Sequence, residues 1–110
     1  MSVKSEIWVQ AFLRRSFAQG QYGAVLRKGA PEAGAIYLVV NRLDGRNFLY
    51  GPPPGPAYDE LGERIWEQVR RESVDPLELQ KIITSLTRID PDIWVVEIED
   101  RDGSLALKLV

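Results

Sequence analysis

The densest group of residues able to do chemistry lies near the C-terminus, in IWVVEIEDRDG (residues 93–103), where Glu97, Glu99, Asp100 and Asp102 follow closely on one another. Carboxylates at that density suit a hard cation such as Ca²⁺ or Mg²⁺, which prefers oxygen ligands and can activate water. These four residues are therefore the candidate metal ligands, and the chemistry they suggest is that of a carboxylate-dependent metal hydrolase. The fragment DRDG also invites comparison with an EF-hand loop. If Gly103 held the sixth loop position, the first would be Ile98 and the twelfth Leu109, so both required carboxylates are missing. In a strand, Trp94, Val96 and Ile98 share one face, while Ile93, Val95, Glu97 and Glu99 share the other. Glu97 and Glu99 then stand about 7 Å apart along the chain. The competing reading is a solvent-facing strand surface followed by an ordinary Asp-Gly turn, and it is the favoured one.

The residues that are missing narrow the chemistry further. The chain has no histidine and no cysteine. It therefore lacks the commonest neutral-pH base and the usual transition-metal ligands, together with any Ser-His-Asp triad or Cys-His dyad. Carboxylates, Lys, Tyr, Ser and Thr are all that remain, so an enzymatic role is disfavoured, and no catalytic residue and no cofactor is assigned. GAPEAG (residues 29–34) does not match a phosphate-binding P-loop.

A second set of candidates is basic. The net charge of −2 hides an asymmetry: residues 1–50 carry seven basic and three acidic groups, and residues 51–110 carry seven and thirteen. Arg14, Arg15, Arg27, Lys28, Arg42 and Arg46 could line a phosphate backbone, the alternative being a weak nucleic-acid-binding module. No nucleic-acid motif accompanies them, and solvated side chains on a helix and at strand ends explain them equally well, so nucleic acid is the less favoured partner. Charge-biased halves also suit head-to-tail self-association. Trp66, Arg70 and Tyr58 are of the types that anchor protein interfaces and are read as exposed protein-interaction candidates. Pro53 and Pro56 in PPPGP have PxxP spacing, but Asp59 and Glu60 follow where basic flanks would be expected, and a rigid connection is the better reading.

The elements that must position these residues follow from periodicity. Residues 3–19 predict an amphipathic helix with Trp8, Val9, Phe12, Leu13 and Phe17 in one arc, stopped at Gly20. Residues 22–28 and 35–42 predict strands, the second apolar almost throughout, and Asp44-Gly45 predicts a hairpin returning through residues 46–51. Residues 52–56 are a loop. Residues 64–71 read as a strand pairing with that hairpin, with a helix as the alternative. Residues 75–89 predict a helix capped by Asp75, with Pro76 in its first turn and Leu79, Ile82, Ile83, Leu86 and Ile89 in one row. A strand over IWVVEIE, a turn at Asp102-Gly103 and a last strand with Leu105, Leu107 and Leu109 on one face complete the chain. The expected fold is one domain over residues 1–110, α+β, an antiparallel sheet of about five or six strands with two helices packed on one face.

Several pieces, namely SEIWVQAFLRR, AVLRKG, VNRLDG, LYGPPP and RIDPDIWVVEIEDRDG, occur in an order that resembles an uncharacterised, mainly alphaproteobacterial family, domain of unknown function 1491. The resemblance spans nearly the whole chain and implies a small, soluble intracellular protein. The family has no established activity, so it assigns no functional residue. No apolar run is long enough for a membrane span, and no secretory signal is evident. The expected role is a cytoplasmic, non-enzymatic interaction or accessory module acting through a protein partner or a homo-oligomer.

Overall fold

The computed structural model describes residues 3–110. Its elements are α1 (Ser5–Ala18), β1 (Gly23–Arg27), β2 (Ile36–Asn41), β3 (Asn47–Gly51), β4 (Glu67–Gln68), α2 (Pro76–Ile89) and β5 (Trp94–Glu99). Among the described residues the strands form one five-stranded sheet in the order β1-β5-β2-β3-β4. The α+β class and the strand count are those the sequence predicts.

The sheet is mixed rather than antiparallel throughout. β2–β3, β3–β4 and β1–β5 are antiparallel, whereas β5 runs parallel to β2 from Ile36↔Trp94 to Asn41↔Glu99. A parallel neighbour needs a crossover of a dozen or more residues, and the 14-residue α2 supplies it. β5 is thereby inserted between β1 and β2, so both of its edges are taken. That explains a second departure from expectation. Residues 104–110 find no edge of β5 to pair with and instead form an extended strap. Leu105 and Leu107 pack against the core, and the strap meets the rest of the chain at Trp66, whose N–H donates to the Lys108 carbonyl at 2.8 Å.

The two helices lie on opposite faces, not on one. Alternation along β2 and β5 sends Ile36, Leu38, Val40, Trp94, Val96 and Ile98 to one side, where Val9 and Phe12 of α1 and Trp66 join them. Val39, Val95 and Ile93 go to the other, where Leu79 and Ile82 of α2 pack with Leu49. The reason lies in the strands: IYLVV and WVV are apolar at both parities, and a strand of that kind needs cover on both faces.

α2 is capped as predicted, the Asp75 carboxylate accepting from the Glu78 N–H at 2.8 Å. The row read along α2 ends at Leu86, because Ile89 is 84% exposed. α1 has no side-chain cap. Its first N–H groups donate instead to loop carbonyls, Ser5 to Glu32 and Glu6 to Pro31, while the Ser5 hydroxyl donates to the Gly34 carbonyl. The loop over residues 29–34, unsuited to phosphate, thus serves as the lid of a helix N-terminus. It is held in turn by the Trp94 indole N–H, which donates to the Ala30 carbonyl at 2.7 Å.

Candidate functional site

The acidic cluster read from the sequence is divided by the strand that carries it. Glu97 and Glu99 take the parity of Val95, on the α2 side and half-buried, whereas Asp100 is buried on the α1 side. Its Oδ1 accepts from the Ser104 N–H and hydroxyl and from Gln21 Nε2, and its Oδ2 accepts from the Leu105 N–H at 2.9 Å. A carboxylate so occupied organises a turn, and its lone pairs are spent within the protein. Asp102 is exposed in that turn. No group of three or more potential ligand residues among the described residues is placed to hold a metal ion.

The basic candidates are also scattered. Arg27 and Lys28 follow β1 to the end of the sheet where β2 and β5 begin. Arg27 Nη2 donates to the Pro91 carbonyl, and Lys28 lies 3.9 Å from the Glu6 carboxylate. Arg42 and Arg46 stand at the opposite end, in the β2–β3 hairpin, where Arg46 forms a 2.8 Å ion pair with Asp44 that lowers the aspartate's pKa. Arg14 and Arg15 are exposed on α1. Six residues per strand at about 3.3 Å each separate the two ends by roughly 20 Å, so these side chains form no continuous track for a phosphate backbone.

Of the aromatic candidates, Trp66 is 2% exposed, so it is a core residue and not a surface anchor. Burial follows from its position, between α1 and the strap, where its ring lies 5.6 Å from that of Trp8. Tyr58 and Trp66 belong to one unit whose centre, Arg64, sequence reasoning passed over. The Arg64 guanidinium carbon lies 4.9 Å from the Trp8 ring centre, 4.9 Å from Tyr58 and 5.8 Å from Trp66, and Nη2 donates to the Tyr58 hydroxyl at 2.6 Å. Burial lowers the pKa of this guanidinium from its ordinary value. The three rings supply the quadrupoles that a desolvated cation requires. α1 and residues 58–66 meet there, with the strap joined to Trp66, and no local motif announces the arrangement. Arg70 is exposed. Pro53 is buried, so the PxxP frame is not displayed.

Two further surfaces bear on function. The first is the outer edge of β1. Among the described residues it pairs with nothing, and beside it Phe17 and Tyr22, in edge-to-face contact at 6.1 Å, are 53% and 60% exposed. Val25 and Leu26 continue that apolar exposure along the strand. Periodicity puts Phe17 in the buried arc of α1, but it stands in the last turn of that helix and is exposed. The second surface is a cavity of about 300 Å³ beneath the strap, lined by Val40, Arg42, Phe48, Tyr50 and the leucines of the strap.

A family model described as a protein of unknown function, DUF1491, matches residues 3–108. The chain belongs to the DUF1491 family. Solved relatives agree with that assignment over the full length. A crystal structure of a DUF1491 family protein from Caulobacter crescentus CB15 is 37% identical with a TM-score of 0.80, covering 100% of this chain and 99% of that one. The solution structure of protein Atu0922 from A. tumefaciens is 40% identical, with a TM-score of 0.81 and coverage of 100% and 96%. An NMR structure of a DUF1491 protein from the same Caulobacter strain is 39% identical, with a TM-score of 0.76 and coverage of 100% and 98%. No curated protein matches the chain. Membership of DUF1491 carries no assigned activity, and among the described residues no helix is long and apolar enough to cross a membrane.

Proposed function

We propose that this DUF1491 protein is a non-enzymatic interaction module that self-associates through β1, a second copy pairing antiparallel to the first. The observation that carries the reading is the unpaired edge of β1 flanked by exposed Phe17, Tyr22, Val25 and Leu26. An edge presents unmet N–H and C=O groups, and aromatic and aliphatic side chains beside it supply the apolar area that makes pairing favourable. Charge supports a twofold arrangement. Arg27 and Lys28 lie at one end of β1, while Glu97, Glu99 and Asp102 lie toward the other, so antiparallel pairing sets the basic end of each copy by the acidic end of its partner. A bulge between Val25 and Arg27 bends the strand and restricts the straight template to its first half. So short an edge suits a small, reversible contact. A cytoplasmic setting accords with the cysteine-free sequence.

Sedimentation velocity from micromolar to millimolar protein tests the reading. The wild-type sedimentation coefficient should rise with concentration, the rise should weaken with added salt, and Val25→Lys should abolish it while leaving the fold intact. A wild-type protein that stays monomeric at millimolar concentration, or dimerises as well with Val25→Lys, refutes pairing through β1.

A further inference from the structure

The cavity under the strap has a construction that packing alone does not call for. Its floor and roof are apolar: Val40 and Phe48, which face each other across the β2–β3 ladder, and Leu105 and Leu107 of the strap. Its rim is polar, formed by Arg42, Tyr50 and the Asp100 turn. At about 300 Å³ it falls at the lower end of the range for small-molecule sites, roughly 300–1,000 Å³.

Arg42 is the informative group. It is half-buried, yet no carboxylate lies within ion-pair range of it among the described residues. Its nearest acceptor is the Arg101 carbonyl, 3.5 Å from Nη2, which is at the limit of a hydrogen bond, and its Nε is buried with no partner. A half-desolvated guanidinium normally meets an anion, because its fork of N–H groups matches a carboxylate. The adjacent Asp100 does not serve, since its oxygens already accept from Ser104, Leu105 and Gln21. Gly103 permits the guanidinium to lie flat against the turn: a Cβ there would stand 3.0–3.2 Å from its atoms. Tyr50 lines the same cavity, and burial raises the pKa of its hydroxyl while the Arg42 charge acts against that shift.

We infer that the cavity binds a medium-chain carboxylate, the carboxylate on Arg42 and Tyr50 and the alkyl chain between Phe48 and the leucines of the strap. The apolar floor lies over β2 and β3, beyond β5 from the β1 edge, and the cavity approaches the self-association surface only at the Asp100–Gly103 turn.

Titrating ¹⁵N-labelled protein with octanoate, octanol, propionate and inorganic phosphate, followed by amide and Arg Nε–H resonances, tests this. Octanoate should shift Gly103, Leu105, Leu107 and the Arg42 Nε–H together, and it should bind at least about ten-fold more tightly than octanol, which lacks the charge, or propionate, which lacks the body. Arg42→Gln should remove that preference over octanol, and Tyr50→Phe should reduce it, in proteins whose remaining spectrum is unchanged. Equal binding of octanoate and octanol overturns the role of Arg42. Phosphate or propionate binding as well as octanoate overturns the apolar half of the site. The absence of shifts at millimolar octanoate, or shifts confined to other residues, overturns the site altogether.

Discussion

Replacing Asp100 by alanine tests how the strap is held. Asp100 is 4% exposed and stands at the hinge between β5 and the strap, its own N–H donating to the Asn41 carbonyl of β2 at 2.8 Å. Its carboxylate accepts two backbone N–H groups, from Ser104 at 3.0 Å and Leu105 at 2.9 Å, and two side-chain donors. The Ser104 hydroxyl and the Gln21 amide can rotate toward water, so their loss costs little. The two N–H groups are fixed by the turn, and a hydrogen bond to a charged acceptor contributes about 1.5–3 kcal/mol. Water entering a turn at the surface recovers part of this, which leaves roughly 3 kcal/mol for Asp100→Ala, or a fall in Tm on the order of 10 °C for a domain of this size. Asp100→Asn keeps one acceptor oxygen and should lose about half as much. Urea unfolding followed by tryptophan fluorescence measures the loss, since Trp8, Trp66 and Trp94 all report on the α1-side core. Native-state amide exchange reads its location: the Val110 N–H, which donates to the Trp66 carbonyl at 2.9 Å, and the Trp66 N–H should lose protection before the β2–β5 ladder does. A loss below about 0.5 kcal/mol, the range of ordinary surface substitutions, would refute the assignment of Asp100 as the organiser of the turn. So would exchange that rises uniformly over the sheet.

Two further outcomes follow from the geometry. Asp75→Ala should cost about 1 kcal/mol in urea unfolding by leaving the Glu78 N–H uncapped, and Asp75→Ser should restore most of it. The Asp59 carboxylate accepts from Lys108 and from the Leu61 and Glu63 N–H groups, and these contacts, Lys108 foremost, hold its pKa below the ordinary 3.8. A carboxylate depressed by folding contributes stability above its ordinary pKa that is lost as pH falls through the lower folded value. Lys108, raised above 10.5 mainly by the same hydrogen bond, contributes below 10.5 and loses it as pH rises through the higher folded value. Thermal melts should accordingly fall at both extremes, and Asp59→Asn should flatten each limb; unchanged limbs would remove the pair from the account.

What the sequence made legible was local. The Asp75 cap, the Asp44-Gly45 hairpin, the stop at Gly20 and the parity that divides Trp94, Val96 and Ile98 from Glu97 depend on near neighbours, and each stands in the structure. Pairing partners were not legible, because the register of β5 against β2 is fixed by where α2 returns the chain. The need for two covered faces was nonetheless written in residues 36–40, apolar at every position. The strongest polar group, Asp100, looked like one of four equal carboxylates, and only the turn that folds back on it sets it apart. Trp66 and Arg64 were misjudged or missed for a related reason: α1, the residues 58–66 excursion and the strap come together there from distant parts of the chain.

The position of β5 underlies most of what distinguishes this molecule. By entering between β1 and β2 it leaves β1 at the edge, with its outer hydrogen-bonding groups and apolar side chains uncovered. By having both edges filled it denies the C-terminal residues a strand partner, so they cross the α1-side face as a strap and roof a cavity over β2 and β3. An alternating segment such as LALKLV would ordinarily be drawn into a sheet, and here only its leucines are used, two of them against the core. The open edge and the cavity therefore share one topological cause but lie on different strands. A substitution in β1 should leave the cavity intact, and one at Arg42 should leave the edge intact. Self-association and carboxylate binding are for that reason separable, and each stands or falls on its own measurement.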